Sequence, residues 1–191
     1  MRLIIVDGLD AVGKDTQAQL IAHYYQEKGE SVVIRSHPAV DNFFGRCAKD
    51  ALIHSGMKNK VKASVFYMFD VLRSIRKYYH PHQQGTIIMV RYLMGTAYLP
   101  KRTVKFGYTF FERFVPTSPY MFFLDAAPDV LLERIKERKE QEIFETYDAL
   151  IKVRDKALLL VDHWHVIDTS GTIEDTFLKM KTILKELDAK C

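Results

Sequence analysis

The chain has little of several things that would narrow its class. Only two of its 191 residues are cysteines, Cys47 and Cys191, far apart in sequence. A disulfide framework is not expected, and a reduced, cytoplasmic protein is. No apolar run approaches the roughly 20 residues of a membrane-spanning helix, so no membrane partner is expected. The amino terminus leads directly into a strand candidate, which gives the expectation of no signal peptide. Neither sign of charge is in excess: 28 Lys and Arg against 24 Asp and Glu leave +4. No Lys/Arg tract concentrates that charge, so a nucleic-acid partner is not expected, while anionic small molecules suit it. The seven histidines make no persuasive ligand set. His163 and His165 are near neighbours on one strand, and His80 and His82 flank Pro81 in a turn. Repeats, low-complexity stretches and linkers are missing too.

What is there reads as one domain, residues 1–191, able to bury a substantial core. Short apolar runs alternate with helical patterns. The strand candidates are Leu3–Val6, Val32–Arg35, Thr86–Val90, Tyr120–Leu124 and His165–Asp168, each β-branched or aromatic and too short for a helix. One helical face is marked by Val65, Met68, Phe69, Leu72, Ile75 and Tyr79. A second carries Ile143, Tyr147, Leu150, Ile151, Leu158 and Val161, and a third Ile173, Phe177, Met180, Leu184 and Leu187. Strands separated by helices imply right-handed crossovers, hence an α/β fold with a five-stranded parallel sheet and helices on both faces. The segment from Arg91 to Pro119 shows no clear periodicity. It follows the carboxyl end of a strand, where ligands of open α/β sheets bind.

The stretch "GLDAVGKDT", Gly8 to Thr16, follows the first strand and opens a helix. A Gly-x4-Gly-Lys match is expected about 0.05 times by chance in a chain of this length at average residue usage. Cradling a polyphosphate requires many backbone N–H groups turned toward one anion. Glycine permits the backbone angles, and the following helix adds its positive end. Gly8, Asp10, Ala11, Val12, Gly13, Lys14, Asp15 and Thr16 are therefore the expected nucleotide-binding stretch, with Lys14 on the β- and γ-phosphates. The pattern next calls for a Ser or Thr hydroxyl, and position 15 is an aspartate.

"GLDAVGKDTQ" resembles the phosphate loop of thymidylate kinases, Gly-x-Asp-x-x-Gly-Lys-(Ser/Thr)-Thr-Gln. Further similarities follow in order. "FFGR" (Phe43–Arg46) sits where that family has a Gly-basic pair. "RY" (Arg91-Tyr92) ends the third strand, where the family has Asp-Arg-Tyr or Asp-Arg-His. "PYMFFLDAAPDVLLERIKER" (Pro119–Arg138) is similar to its strand and Leu-Glu-Arg-Ile helix. "FE" (Phe144-Glu145) and "KVRDKALLL" (Lys152–Leu160) resemble the helix after its lid, and "VIDTSGTIED" (Val166–Asp175) its final strand and helix start. The resemblance spans the chain. It implies a three-layer P-loop NTPase fold with a lid at about 134–146. The implied activity moves the γ-phosphate of ATP onto dTMP, with magnesium, in a homodimer.

The resemblance also implies site residues. Asp10 matches the aspartate that contacts the acceptor's sugar; its alternative is to fix the loop's geometry. One family branch has a catalytic arginine at the position of Ala11, and the other supplies it from the lid. This chain resembles the second, so Arg138, or else Arg134, would stabilise charge on the transferred phosphoryl group. The run "ERIKERKEQE" suits a solvated helix face equally well. The family's Phe-x-x-x-Arg, with the ring on thymine and the arginine on the acceptor phosphate, matches Phe69 and Arg73, one helical turn apart. A competing register puts Tyr67 at the ring, Asp70 at an acidic neighbour and Val71 at the arginine. Arg91 is expected to face the cleft for bidentate phosphate binding, with a rim salt bridge as its alternative. Arg35, ahead of Pro38, and Tyr98, near the base, complete the acceptor set.

Two departures concern magnesium. Asp15 replaces the hydroxyl residue, and Val90 replaces the carboxylate before Arg91. Asp15 is therefore the expected metal residue, an oxygen ligand of the hard type magnesium takes. Its alternative is to cap the first turn of the helix. Two other functions stay open at this point: a kinase for another nucleoside monophosphate, and a nucleotide-binding regulatory protein that has lost catalysis.

Overall fold

The computed structural model describes residues 1–54, 56–99, 102–136 and 147–190. Its centre is a five-stranded parallel sheet. The strands are β1 (Arg2–Gly8), β2 (Val32–Ser36), β3 (Thr86–Val90), β4 (Met121–Asp125) and β5 (His165–Asp168), in the spatial order β2-β3-β1-β4-β5. All five strand candidates are present, within two residues of their expected bounds at the amino end and two at the carboxyl end. The three inner strands are buried at every residue from Leu3 to Val6, Thr86 to Val90 and Met121 to Leu124. A strand covered on both faces reads as an unbroken apolar run, and that made these legible.

The helices are α1 (Lys14–Gln26), α2 (Phe43–Ile53), α3 (Met57–Tyr78), α4 (Val104–Glu112), α5 (Pro128–Lys136), α6 (Tyr147–Leu158) and α7 (Ile173–Asp188). A 3-10 turn, Met94–Tyr98, follows β3. Helix α1 lies on the sheet beside α7, while α3, α4 and α6 gather around the 3-10 turn. Helix α7 begins with a reciprocal cap: Thr172 accepts from the Asp175 N–H, and Asp175 accepts from the Thr172 N–H. Two orphan donors of the first turn are satisfied together.

Register decides what meets at the carboxyl edge. Val6 pairs with Val90, Gly8 with Leu124, Ser36 with Val90 and Asp125 with Asp168. The ends of all five strands, with the loops that leave them, therefore open on one edge. At the opposite edge, Asp188 near the end of α7 accepts from Tyr25 and Tyr120 and pairs with Arg2 and Lys28. That cluster ties the first strand to the last helix, away from the loop of glycines.

Two expectations need correction. Residues 91–119 are not featureless, since they hold the 3-10 turn and α4. Helix α4 buries Val104, Tyr108 and Phe111, while Phe106 and Phe110, with Phe114 just past its end, stay exposed. Aromatics on both faces erased the periodicity. The inner face of α3 matches the expected one only in part: Met68, Leu72, Ile75 and Tyr79 pack against the core. Ala63, Asp70, Val71 and Ser74 are buried, whereas Val65 and Phe69 are exposed. Polar residues on the inner face and apolar ones outside shifted the apparent stripe.

Candidate active site

The loop between β1 and α1 is shaped by close approach and left-handed backbone. At Gly8 a Cβ would lie 2.3 Å from the Leu124 carbonyl oxygen, so no side chain fits. Ala11 (φ 64°) and Gly13 (φ 89°) are left-handed. Gly13 is the N-cap of α1, and no side chain caps that helix. The N–H groups of its first turn, orphaned by helix geometry, are left for an anion.

Lys14 is 3% exposed. Its ammonium donates to the carbonyls of Gly8 (3.0 Å) and Leu9, with Asp10 Oδ1 at 3.8 Å. Burial pulls its pKa down to about 8, against the raising influence of Asp10 and Asp7. The loop thus holds a desolvated cation folded back on its own carbonyls, at the place where a polyphosphate would receive it.

Beside it lies a charged triad. Arg91 donates to Ser36 Oγ (2.8 Å) and pairs with Asp15 Oδ2 (2.9 Å), while Ser36 Oγ donates to Asp15 Oδ1 (2.9 Å). Burial alone would raise the Asp15 carboxyl, but the charge of Arg91 and the hydrogen bonds from Ser36 and Arg91 hold it below the usual range. Asp15 is the second residue of α1 and the acid of its first turn, and its side-chain hydrogen bonds come from Ser36 and Arg91. The side chain of Val90 is buried in the sheet.

On the β2–α3 side, Arg35 forms a two-point pair with Asp41 (3.0 and 3.1 Å) and lies over the Tyr78 ring. Hydrogen bonds from Arg35 and Asn42 hold the Asp41 carboxyl well below its ordinary range, and Arg73 adds its charge. One buried nitrogen each of Arg35 (Nε) and Arg73 (a terminal guanidinium nitrogen) has no hydrogen-bond partner among the described residues. Buried polar groups of native proteins are almost always paired, and an orphan calls for an explanation. Two orphaned guanidinium N–H groups, on arginines whose charges both reach Asp41, suit an anion.

Asp70, fully buried, accepts from the Ala39 N–H (2.6 Å) and Asn42 Nδ2 (2.7 Å). It fixes the loop after β2, which contains a cis His37–Pro38 bond. Gly45 sits so close under that loop that a Cβ would meet the Ala39 oxygen at 1.9 Å. The ring of α3 that faces Arg91 is Tyr67, whose hydroxyl donates to the Arg91 carbonyl. Phe69 points the other way, stacked on Phe44 at 5.5 Å. Tyr67 and Asp70 are thus turned toward the end of β3 and the loop after β2, whereas Phe69 is turned toward α2.

A second cleft lies beyond the loop, lined by Ala11, Val12, Gly13, Thr16, Gln17 and the segment from Thr169 to Thr176. Arg134 closes it, donating to the Thr169 carbonyl at 2.7 Å. Arg134 is thus placed at this cleft and hydrogen-bonded there. Arg138 and the remainder of the lid segment, residues 137–146, lie outside the described residues, as does the side chain of Tyr98. Sequence reasoning missed Asp7, Ser36, Asp41, Asn42 and the two-point pair of Arg154 with Asp125 (2.7 and 2.8 Å). Asp7 gave one usable signal, an acid inside an apolar strand directly before a glycine.

No group of three His, Cys, Asp or Glu side chains among the described residues could hold a metal by itself. Asp15, exposed at the mouth of the loop, does fit magnesium, which binds through one or two carboxylates with substrate phosphates and water completing its shell. Thr16 follows as a neighbouring hydroxyl.

A glycine-bearing loop between a central parallel strand and a helix, with a buried lysine at its end, defines a P-loop nucleotide-binding protein of the α/β class. Comparison with known proteins narrows this. The family model for thymidylate kinase matches residues 6–179. A probable thymidylate kinase of Archaeoglobus fulgidus is 28% identical over 189 residues, covering 96% of this chain and 94% of that one. The thymidylate kinase of Thermosipho africanus is 23% identical, covering 96% and 97%. In structure, the thymidylate kinase of Candida albicans superposes with a TM-score of 0.75 at 19% identity, covering 98% of this chain and 92% of that one. The chain belongs to the thymidylate kinase family, which makes it a nucleoside monophosphate kinase.

The buried lysine gives a pH signature. A bound polyphosphate stabilises the ammonium and raises its pKa, so binding is linked to proton uptake only above the free value. Taken relative to the Lys14→Arg variant, which cancels the ligand's own titration, the parent's polyphosphate affinity should be constant below about pH 8 and fall by up to about tenfold per pH unit above it. Calorimetric titration of inorganic tripolyphosphate across that range measures the slope. Lys14→Arg, which stays protonated, should lack this fall; an equal slope in that variant would assign the titration to another group.

Proposed function

We propose that the chain transfers the γ-phosphate of ATP to dTMP, giving ADP and dTDP. Two features support this: a P-loop with a desolvated lysine, and orphaned guanidinium N–H groups on Arg35 and Arg73. In this reading Gly8 to Thr16 hold the donor phosphates through backbone N–H groups, and Lys14 reaches the β- and γ-oxygens. The cleft under Arg134 takes the donor base. An oxygen of the acceptor phosphate attacks the γ-phosphorus in line, and the β–γ bridging oxygen leaves with the bond's electron pair.

Arg35, Arg73 and Arg91 hold the acceptor phosphate, with Asp10 at the acceptor sugar and Tyr98 near its base. Arg138 of the lid is assigned to the charge that spreads over the equatorial oxygens. Positioning and electrostatics carry such a transfer, since the protein makes no covalent bond in it. Magnesium, when bound at Asp15, neutralises phosphate charge.

Turnover with ATP and magnesium across a panel of monophosphates tests the reading directly. dTMP should be preferred. Another preferred acceptor would move the specificity, and binding of both nucleotides without transfer would make the chain a regulatory nucleotide binder. Within the same assay, Arg73→Ala should weaken dTMP binding by about 1.5–3 kcal/mol, the cost of a lost charge-assisted contact. ATP affinity should hold.

Asp15 has its own test. With the carboxylate as magnesium residue, Asp15→Asn raises the magnesium concentration at half-maximal rate, and it weakens manganese binding to the protein–nucleotide complex in paramagnetic resonance. If both titrations stay where they were, Asp15 serves only as the partner of Arg91.

We also infer a homodimer, with cytoplasmic residence. Phe43, Ile53, Val61, Val65 and Phe69 are exposed together on α2 and α3, and Phe43 contacts both Phe44 and Phe66. An apolar surface of this kind marks an interaction site. Sedimentation should show a dimer for the parent and a monomer for Ile53→Asp with Val65→Asp. A parent that sediments as a monomer at working concentration overturns the assembly.

A further inference from the structure

Arg91 is one of two non-glycine residues with a left-handed backbone among the described residues, at φ 55°. That conformation is unfavourable for a side chain with a Cβ and persists only where the surroundings over-determine it. Three sets of contacts do so here. The Arg91 N–H continues the β1–β3 ladder by donating to the Val6 carbonyl (3.2 Å). Its carbonyl accepts from the Tyr67 hydroxyl. The next three N–H groups, of Tyr92, Leu93 and Met94, all converge on one oxygen of Asp7, at 2.8, 2.8 and 3.1 Å.

Asp7 is 2% exposed and occupies the penultimate position of β1. A carboxylate is a costly thing to bury in a sheet, and an apolar residue would serve the strand better. What the acid does instead is collect the N–H groups that a strand loses when it turns abruptly after Arg91. Tyr67 closes the other side. Its ring lies so close to the 3-10 turn that a Cβ at Gly95 would sit 2.7 Å from it.

We propose that Asp7 and Tyr67 are positioning residues for Arg91, fixing the left-handed backbone from which its guanidinium reaches Asp15 and Ser36. Neither residue touches the phosphates. Both act through Arg91, and the proposal rests on the reading above that Arg91 holds the acceptor phosphate. In chemical terms, a strand that continued straight would carry the guanidinium past the cleft. The turn anchored on Asp7 aims it inward.

A double-mutant cycle separates positioning from mere support of the fold. The proteins are the parent, Asp7→Asn, Tyr67→Phe, Arg91→Ala and the two doubles with Arg91→Ala, each assayed for kcat, both KM values and dTMP affinity by calorimetry. Asp7→Asn keeps the size of the side chain, and Tyr67→Phe keeps the ring and every charge near Lys14. Each single change should lower kcat/KM for the acceptor by about tenfold or more in the parent and by less than about twofold once Arg91 is alanine. Tyr67→Phe should leave the KM for ATP in place. Losses that persist undiminished in the Arg91→Ala background overturn the proposal and make both residues supports of the fold. An Arg91→Ala protein as active as the parent instead overturns the role of Arg91 itself. If Asp7→Asn fails to fold, judged by its thermal melt, the Tyr67→Phe cycle decides alone.

Discussion

Everything at the carboxyl edge of the sheet depends on keeping one ammonium group out of water. A lysine gives up hydration when it is buried, and the loss must be offset by nearby oxygen. Here the offset comes from the loop's own carbonyls at Gly8 and Leu9, with Asp10 close by. Those carbonyls can turn inward only because Gly8 passes against Leu124 with no side chain and because Ala11 and Gly13 take left-handed angles. The glycines are thus requirements of the cation as much as of the anion it awaits. The sheet order, with β1 between β3 and β4, then presents this loop to the residues that follow β2 and β3.

The second organising contact is the pair of Asp15 and Arg91. It links the start of α1 to the end of β3, and Ser36 joins both to the end of β2. Three separate crossovers therefore meet in one hydrogen-bonded unit. Arg91 itself is mostly enclosed, and burial, which would lower its pKa, is outweighed by the charges of Asp15 and Asp10. Of the two alternatives that the sequence left open for Arg91, the salt bridge is the one the structure contains.

How much of this could be read from residues alone varied with the physics of each part. The strands were plain, because burial on two faces leaves nothing but apolar side chains. The phosphate loop was plain, because its chemistry constrains glycine and lysine spacing so tightly. Helix α4 was invisible, since Phe106 and Phe110, with Phe114 just past its end, give its outer face the look of an inner one. The face of α3 was legible only in part for the converse reason: Met68, Leu72 and Ile75 do pack inward, but Asp70 and Ser74 are buried and Phe69 is outside. Periodicity measures hydrophobicity, and a helix that lines a polar cleft inverts the signal. Asp7 lay beyond reach because its partners are N–H groups of residues 92–94, and backbone donors leave no trace in the identity of a side chain.

Because the carboxylate of Asp15 and the guanidinium of Arg91 already satisfy each other, their charges offset at that point. A lone phosphate ion gains Arg91 only by stranding Asp15, and a lone divalent cation does the reverse. Neither exchange leaves the site better matched than before. A ligand set that brings a cation and an anion together replaces both halves of the bond at once. In terms of composition, the pair matches a mixed-charge ligand set better than either simple ion alone.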